Sequence, residues 1–409
     1  MLQPTVRQQQ LLTALTLALM GLLFAPSVLR SFSDGTSWSV SDLHISYAAG
    51  FIRRGLLGEA AFQLQEASGL STGVFFPVLF VLLTGVQIAL LAVLAWPLRT
   101  RPALFLVVML APGLLLFPAY DYGGYLRKEV FVVIGLFGHA LAVRQKLRGR
   151  INERNYHRFA GFVLAPYLAL SILIHENQAI FLPAHALLIY MACGEASFVR
   201  HAARVQIPVL LPAVLCFAAA TIHKGDSAAA AVICSAWTGR AVTACDAINA
   251  LGWRYDQVWF YLVQLVSDGR ALAIYVATII LALVPPILVR RALPPEGQAP
   301  LWLLLGACLP MAALFLLGWD WGRWIHMASA GVIALILAGA MRDLEPLQVR
   351  PVAALAALAG ALLYVSTWRV NVCCQPTTLS GGLTHTLSAE IRAAFAPRAD
   401  TRVRAVSVK

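Results

Sequence analysis

Long apolar stretches fill this chain, and short polar knots separate them. Candidate stretches run over 11–29, 74–96, 103–119, 130–143, 159–174, 179–193, 206–222, 272–289, 300–318, 325–341 and 352–368. None shows the period-two alternation of a barrel strand. Most approach the roughly 20 apolar residues that let a helix cross a hydrocarbon core of about 30 Å. In a bilayer every backbone N–H and C=O must be paired within the chain, so such stretches resolve into helices. The pattern predicts an all-α, polytopic transmembrane helical bundle of about eleven helices, within a range of about ten to twelve. It forms a single integral membrane domain over 1–409, with two long outer loops, 30–73 and 223–271.

Composition agrees and excludes a soluble globule: 60% of the residues are hydrophobic and 12% charged, against roughly 25% charged in ordinary soluble domains. The stretch 11–29 reads as a retained first helix, because no Lys/Arg cluster precedes Leu11 and no small-residue cleavage site follows.

Positive charge in short connections orients the bundle. With the N-terminus cytoplasmic, the inside loops hold Arg99, Arg101, Arg144, Lys146, Arg148, Arg150, Arg154, Arg158, Arg200, Arg204, Arg290, Arg291, Arg342 and Arg350. The short outside connections hold Arg127, Lys128 and Arg323. This bias predicts a bacterial inner (plasma) membrane protein whose elaborated, functional face is periplasmic. The tail with Arg398, Arg402, Arg404 and Lys409 falls outside on an eleven-helix count, so either the tail is an exception or the count differs by one. The net charge of +12 is mostly the inside-loop excess; no basic stripe with interleaved aromatics points to nucleic acid.

Five knots at the outer helix ends carry the chemistry: Phe51 to Glu59, Asp121 to Glu129, His175 to Gln178, His223 to Asp226 and Trp319 to Trp324. Ionisable groups at membrane depth cost a few kcal/mol each, so they face a hydrated cavity or pair with one another. Interfacial anchoring would account for Arg53 and Arg54, or for the tryptophans, but has no use for Asp121, Glu129, Glu176, Asp226 and Asp320. Arg53, Arg54, Arg127, Lys128, His175, Asp320 and Arg323 are candidate substrate-binding residues, since arginine forks and lysines bind phosphate. Asp42, Asp34 and Glu176 are candidate catalytic carboxylates, able to take a proton from an attacking hydroxyl. Tyr122-Gly123-Gly124-Tyr125 and Trp319-Asp320-Trp321-Gly322 suit stacking on sugar rings. Together they point to a polyprenyl-phosphate-linked sugar. The stretch Ser41 to Leu64 predicts one or two helices lying on the membrane surface.

Cys234 and Cys245, eleven positions apart in the second loop, form either a disulfide or two buried free thiols. Cys373 and Cys374 are also placed outside, but adjacent cysteines bridge rarely. The scattered histidines and the absence of a C-x-x-C spacing indicate no metal site and no cofactor; a divalent cation is left open but not indicated.

A first helix, a long outer loop with acidic residues and surface helices, then many helices with a second large outer loop resembles the polytopic glycosyltransferases of the GT-C type. It is also similar to the O-antigen and exopolysaccharide polymerases of the Wzy and EpsG kind. The resemblance lies in architecture over the whole chain, with no Asp-Asp or Asp-x-Asp pair in the first loop. It implies an Asp or Glu of the first outer loop as base, matched by Asp34 and Asp42. It also implies outer-face cations gripping the lipid pyrophosphate, matched by Arg53, Arg54, Arg127, His175 and Arg323. The expected function is an inner-membrane glycosyltransferase or polymerase in cell-surface polysaccharide or glycolipid assembly, with a lipid-linked sugar donor and membrane lipids as partners. A transporter or flippase for an anionic lipid or solute would use the same cations without a base, and a scaffold subunit would need neither.

Overall fold

In a computed structural model the protein is described over residues 5–193, 202–238, 245–347, 350–373 and 378–382. Eight helices are long and apolar enough to cross a membrane: α1 (Val6–Ser31), α2 (Thr72–Leu98), α3 (Glu129–Leu147), α4 (Glu153–Ile174), α5 (Arg204–Ile222), α6 (Gly269–Ala292), α7 (Pro295–Leu317) and α8 (Trp321–Ala338). A shorter apolar helix, α9 (Pro351–Thr367), follows. Among the described residues no β-strand forms, only one isolated bridge, Trp368 to Ser380. The chain is a multi-pass, all-helical membrane protein.

Three of the eleven predicted stretches fall short of a full span. The stretch 103–119 breaks after Pro102–Met109, and its remainder is turns before a single helical turn at Phe117–Tyr120. Pro112 supplies no N–H and Gly113 follows it, a pair that interrupts helices. Within 179–193, a 3₁₀ segment occupies Glu176–Phe181 and the α-helix Leu182–Cys193 begins only after it. The 352–368 stretch is α9. The C-terminal tail with Arg398, Arg402, Arg404 and Lys409 lies outside the described residues, as does Arg200.

Helix α8 is the axis of the bundle. Its most apolar window is 94% buried, against 22–39% for α1, α2, α4, α5, α6 and α7. A helix that is apolar all round has no face to offer water. Here Ala330, Gly331, Ala334 and Ala338 let neighbours come close, as small residues do where lipid gives no hydrophobic drive to association. Helix α3, 56% buried, packs along it, and α2, α6 and α7 complete the shell.

The two long loops fold over one end of this bundle. The first contains short helices at Trp38–Leu43, largely buried, and Gly55–Ser68. The second contains Ser227–Trp237 and Tyr255–Ser267. Ile45 and Ile52 from the first loop pack with Ala230, Ile233, Trp237, Ile248 and Leu251 from the second, in a small core of their own. Cys234 and Cys245 are bridged, with Cα atoms 5.9 Å apart, which closes the second loop. Cys373 is also disulfide-bonded, against the expectation for that pair, and Cys374 lies outside the described residues. Gly58 is required where the loops meet the bundle, because a Cβ there would collide with the Ile45 carbonyl.

Candidate functional site

Four separated segments bring their charges to that loop-covered end. The first is the helix Trp38–Leu43, started by Ser37, whose side chain accepts from the Val40 N–H. This fixes Asp42 on the inner side, 5% exposed. Lys128, fully buried, reaches up from the start of α3. Its Nζ donates to the carbonyls of Asp42 at 2.7 Å and Arg54 at 3.2 Å, and lies 3.4 Å from the Asp42 carboxylate. One ammonium thus ties the first loop to the bundle.

Arg54 is the hub. It sits in the left-handed region at φ 66°, immediately before the helix Gly55–Ser68. Its Nε and Nη2 fork onto Glu176 at 2.6–3.0 Å, and its Nη1 stands 3.6 Å from Asp42. Arg53 approaches Glu176 at 3.5 Å, while its backbone N–H donates to the His223 carbonyl at 2.9 Å. His175 holds the turn into Glu176 by accepting the Asn177 N–H on Nδ1. That leaves the proton on Nε2 and the ring neutral. Among the described residues the only other non-glycine at positive φ is Leu126, at 55°, two positions before Lys128. Left-handed non-glycine residues cost about 1–3 kcal/mol each and cluster where structure serves function.

Arg323 and Glu129 complete the floor. They pair directly at the starts of α8 and α3, and Arg323 also binds Asp320 at 2.6 Å. Gly322 between them has no room for a Cβ, because the Asn371 carbonyl crosses the start of α8 there. Arg127 is half-buried, with its Nε donating to the Gly123 carbonyl at 2.7 Å. Its charge acts on Asp42 and Asp320, which places it within the same field.

Burial works against every charge here, and the partners decide the outcome. Burial alone would raise the Asp42 carboxyl, but Lys128 and Arg54 outweigh it and hold the group well below the usual carboxylate range. Glu176 is likewise raised by burial yet held low by Arg54. Burial pulls Arg54 down, and Glu176 and Asp42 reverse that and raise it. His175 is pushed down to about 3 by burial and by Arg54. Lys128 is lowered by burial, with Asp42 opposing.

All the sequence candidates except Asp34 therefore belong to one network. Asp34 sits apart: it accepts the Thr36 and Ser37 N–H groups and the Tyr122 hydroxyl, the last at 2.8 Å. Glu129 was not among the substrate-binding or catalytic candidates, although its position was visible as a carboxylate opening an apolar stretch. Five cations (Arg53, Arg54, Arg127, Lys128, Arg323) face four carboxylates (Asp42, Glu129, Glu176, Asp320) around a neutral His175. Asp42 Oδ1 and Glu129 Oε2 are buried without a hydrogen-bond partner among the described residues. A cavity of about 20 Å³ lies against Arg127, Glu129 and Tyr125, room for about one water. No group of three or more His, Cys, Asp or Glu could hold a metal ion among the described residues. Comparison with known families, curated proteins and solved structures finds no match for this chain.

Proposed function

We propose that this end of the bundle transfers a glycosyl group from a polyprenyl-phosphate-linked donor, as a glycosyltransferase or polymerase of cell-surface polysaccharide or glycolipid. One observation carries the reading: the charges of two partly exposed arginines, Arg53 and Arg127, act on a buried carboxylate, Asp42, whose Oδ1 is ion-paired with Arg54 but accepts no hydrogen bond among the described residues. In the reaction the bond from the sugar's anomeric carbon to the phosphate oxygen breaks. An acceptor hydroxyl forms the new bond to that carbon, and its proton goes to Asp42. The phosphate leaves with the electron pair, and Arg53 and Arg127 neutralise it. Lys128 and Arg54 weaken Asp42 as a base in the resting site. A bound phosphate competes for those cations and raises the basicity of Asp42 when the proton must be taken.

In the same reading the N-terminus lies in the cytoplasm and the site opens to the periplasm of a bacterial inner membrane. The arginine excess at the far end of the bundle supports this orientation, and the Cys234–Cys245 bridge suits an oxidising compartment. Labelling of single cysteines placed at 150 and 254 tests it; labelling of both from one side overturns it.

The functional test uses the full chain in nanodiscs with lipid-linked sugars extracted from its source cells. Arg127→Gln is expected to weaken binding of a long-chain polyprenyl phosphate by at least about tenfold, the loss of one charge-assisted contact. Asp42→Asn is expected to keep binding and lose transfer, and full transfer by Asp42→Asn would remove the proposed base.

Transport of an anionic lipid or solute rests on a different observation. In the interior, His139 Nδ1 lies 3.0 Å from His185 Nδ1, and His139 Nε2 lies 2.9 Å from the Tyr156 hydroxyl. Buried ionisable chains mark proton paths in transporters. Such a protein would tolerate Asp42→Asn and lose function on His139→Phe.

A further inference from the structure

Beside the charged network stands a cluster of rings that the reaction above does not use. Trp253, on the second loop, stacks on Trp319 at 5.6 Å between centroids and 29° between planes, and on Tyr261 at 6.4 Å and 26°. Trp38 closes on Trp253 at 5.5 Å, and Tyr261 on Trp319 at 4.8 Å. The cluster stays open: Trp253, Trp38 and Tyr261 are 36%, 37% and 45% exposed. A hollow of about 350 Å³ lies against Trp253 and Tyr261, with Asp256 and Gln257 on its wall, a volume within the roughly 300–1,000 Å³ of small-ligand sites.

This cluster shares its scaffold with the charged site. Trp38 lies on the same short helix as Asp42, one turn earlier, and Trp319 precedes Asp320 in the chain. A ligand on the rings is thereby held in register with the proposed base. Stacked indole and phenol faces with a carboxylate and an amide at the rim match a pyranose, whose C–H face is apolar while its edge carries hydroxyls. Gln257 Oε1 accepts the Arg254 N–H at the start of its helix, which leaves its amide N–H groups for a ligand, and Asp256, 3.4 Å from Arg254, keeps an exposed carboxylate at the rim.

Resting on the glycosyl-transfer reading, we propose that Trp38, Trp253, Tyr261 and Trp319 form a saccharide subsite, with Asp256 and Gln257 binding hydroxyls, that holds the acceptor glycan against the charged site.

The test titrates the full chain in nanodiscs with neutral tetrasaccharides of glucose, galactose and N-acetylglucosamine, followed by tryptophan emission. A saturable change is expected with at least one of them. It should weaken at least tenfold in Trp253→Ala and Gln257→Ala, and less in Trp253→Phe, which keeps a ring. Trp259→Ala on the same helix should bind as the unaltered chain does. Asp42→Asn should also bind normally, so loss of the proposed base and loss of the subsite give separate signals. The proposal falls if none of the tetrasaccharides binds, or if Trp253→Ala and Gln257→Ala both bind unchanged. It also falls if acyl-brominated lipids quench the emission that Trp253→Phe removes, which would place the ring in the hydrocarbon as an anchor.

Discussion

The two ends of the bundle use buried arginine in opposite ways. At the end away from the site, Arg144 donates to the Val93 and Leu94 carbonyls, both at 2.7 Å, and Arg148 donates to the Ala340 carbonyl at 3.1 Å. Arg101 donates to the Glu345 carbonyl at 3.0 Å. Val93 and Leu94 lie where the α-helical part of α2 gives way to its last 3₁₀ turn, and Ala340 just past the end of α8, where carbonyls are short of partners and the dipole favours a cation. These arginines finish helices and need no carboxylate. At the site, Lys128 and Arg323 stand at helix starts, where the dipole disfavours a cation by about 0.3–1 kcal/mol. There carboxylates are brought in from distant segments to hold them. One end places charge for the helices' benefit; the other places it against them, as an anion-binding centre requires.

Removing a carboxylate from the site should hurt most. Glu176→Leu removes the forked partner of Arg54, leaving it only Asp42 at 3.6 Å, and leaves Arg53 without its carboxylate, and is expected to cost about 3–5 kcal/mol. Thermal unfolding in detergent measures this, and the double variant Arg54→Leu with Glu176→Leu should recover much of the loss. If the double variant is worse than the sum of the singles, the pair is not the unit described here. At the other end, Arg144→Met frees two carbonyls at a helix terminus, and a loss of about 1.5–3 kcal/mol is expected.

Acid should separate the ends as well. His175 and His44 are held near 3 and 4 by burial, the first with help from Arg54. The unfolded chain takes up their protons near 6.5 and the folded chain does not. Stability is therefore complete above about pH 6.5 and falls as pH drops, by up to about 1.4 kcal/mol per unit for each group. Asp42 and Glu176 are depressed, so their contribution is present above the unfolded value near 4 and is lost only at lower pH. Denaturation midpoints at pH 7, 6 and 5 should fall in sequence, and His175→Gln should flatten the series; an unchanged slope would contradict a neutral buried ring. The smallest effect belongs to Arg99 and Asp343, 2.6 Å apart with Asp343 half-exposed. Asp343→Ala should cost about 0–1 kcal/mol and lose even that in high salt.

The charged residues were legible in the sequence because each interrupts an apolar run at a depth where lipid penalises charge. His175-Glu176 and Arg53-Arg54 could be read as site residues for that reason alone. Their partners could not. Nothing in spacing links Lys128 to the Asp42 carbonyl, or Glu129 to Arg323 across 194 positions of the chain, because helix order in a bundle is set by packing. Asp34 was singled out for lying in the first loop, but its neighbours Ser37 and Tyr122 make it a turn residue, and Ser37 beside it was the available sign. The break at Pro112-Gly113 was written in the sequence yet masked by apolar residues on both sides. Trp253 carried no signal, since it stands in a polar stretch and matters through rings that only folding brings to it.

The enclosure of α8 bears on how the protein is made. The helix is synthesised after seven others, yet it ends in their midst, so the earlier helices must leave room for it. Until Arg323 arrives, the carboxylate of Glu129, buried at the start of α3 in the finished fold, lacks the ion-pair partner it has there. That charge distinguishes unfinished chains from finished ones: a chain ending before Trp319 should be degraded quickly in cells, and Glu129→Gln in the same fragment should lengthen its half-life. The ion pair between α3 and α8 would then act as a completion mark in biosynthesis, read by whichever protease surveys the bilayer.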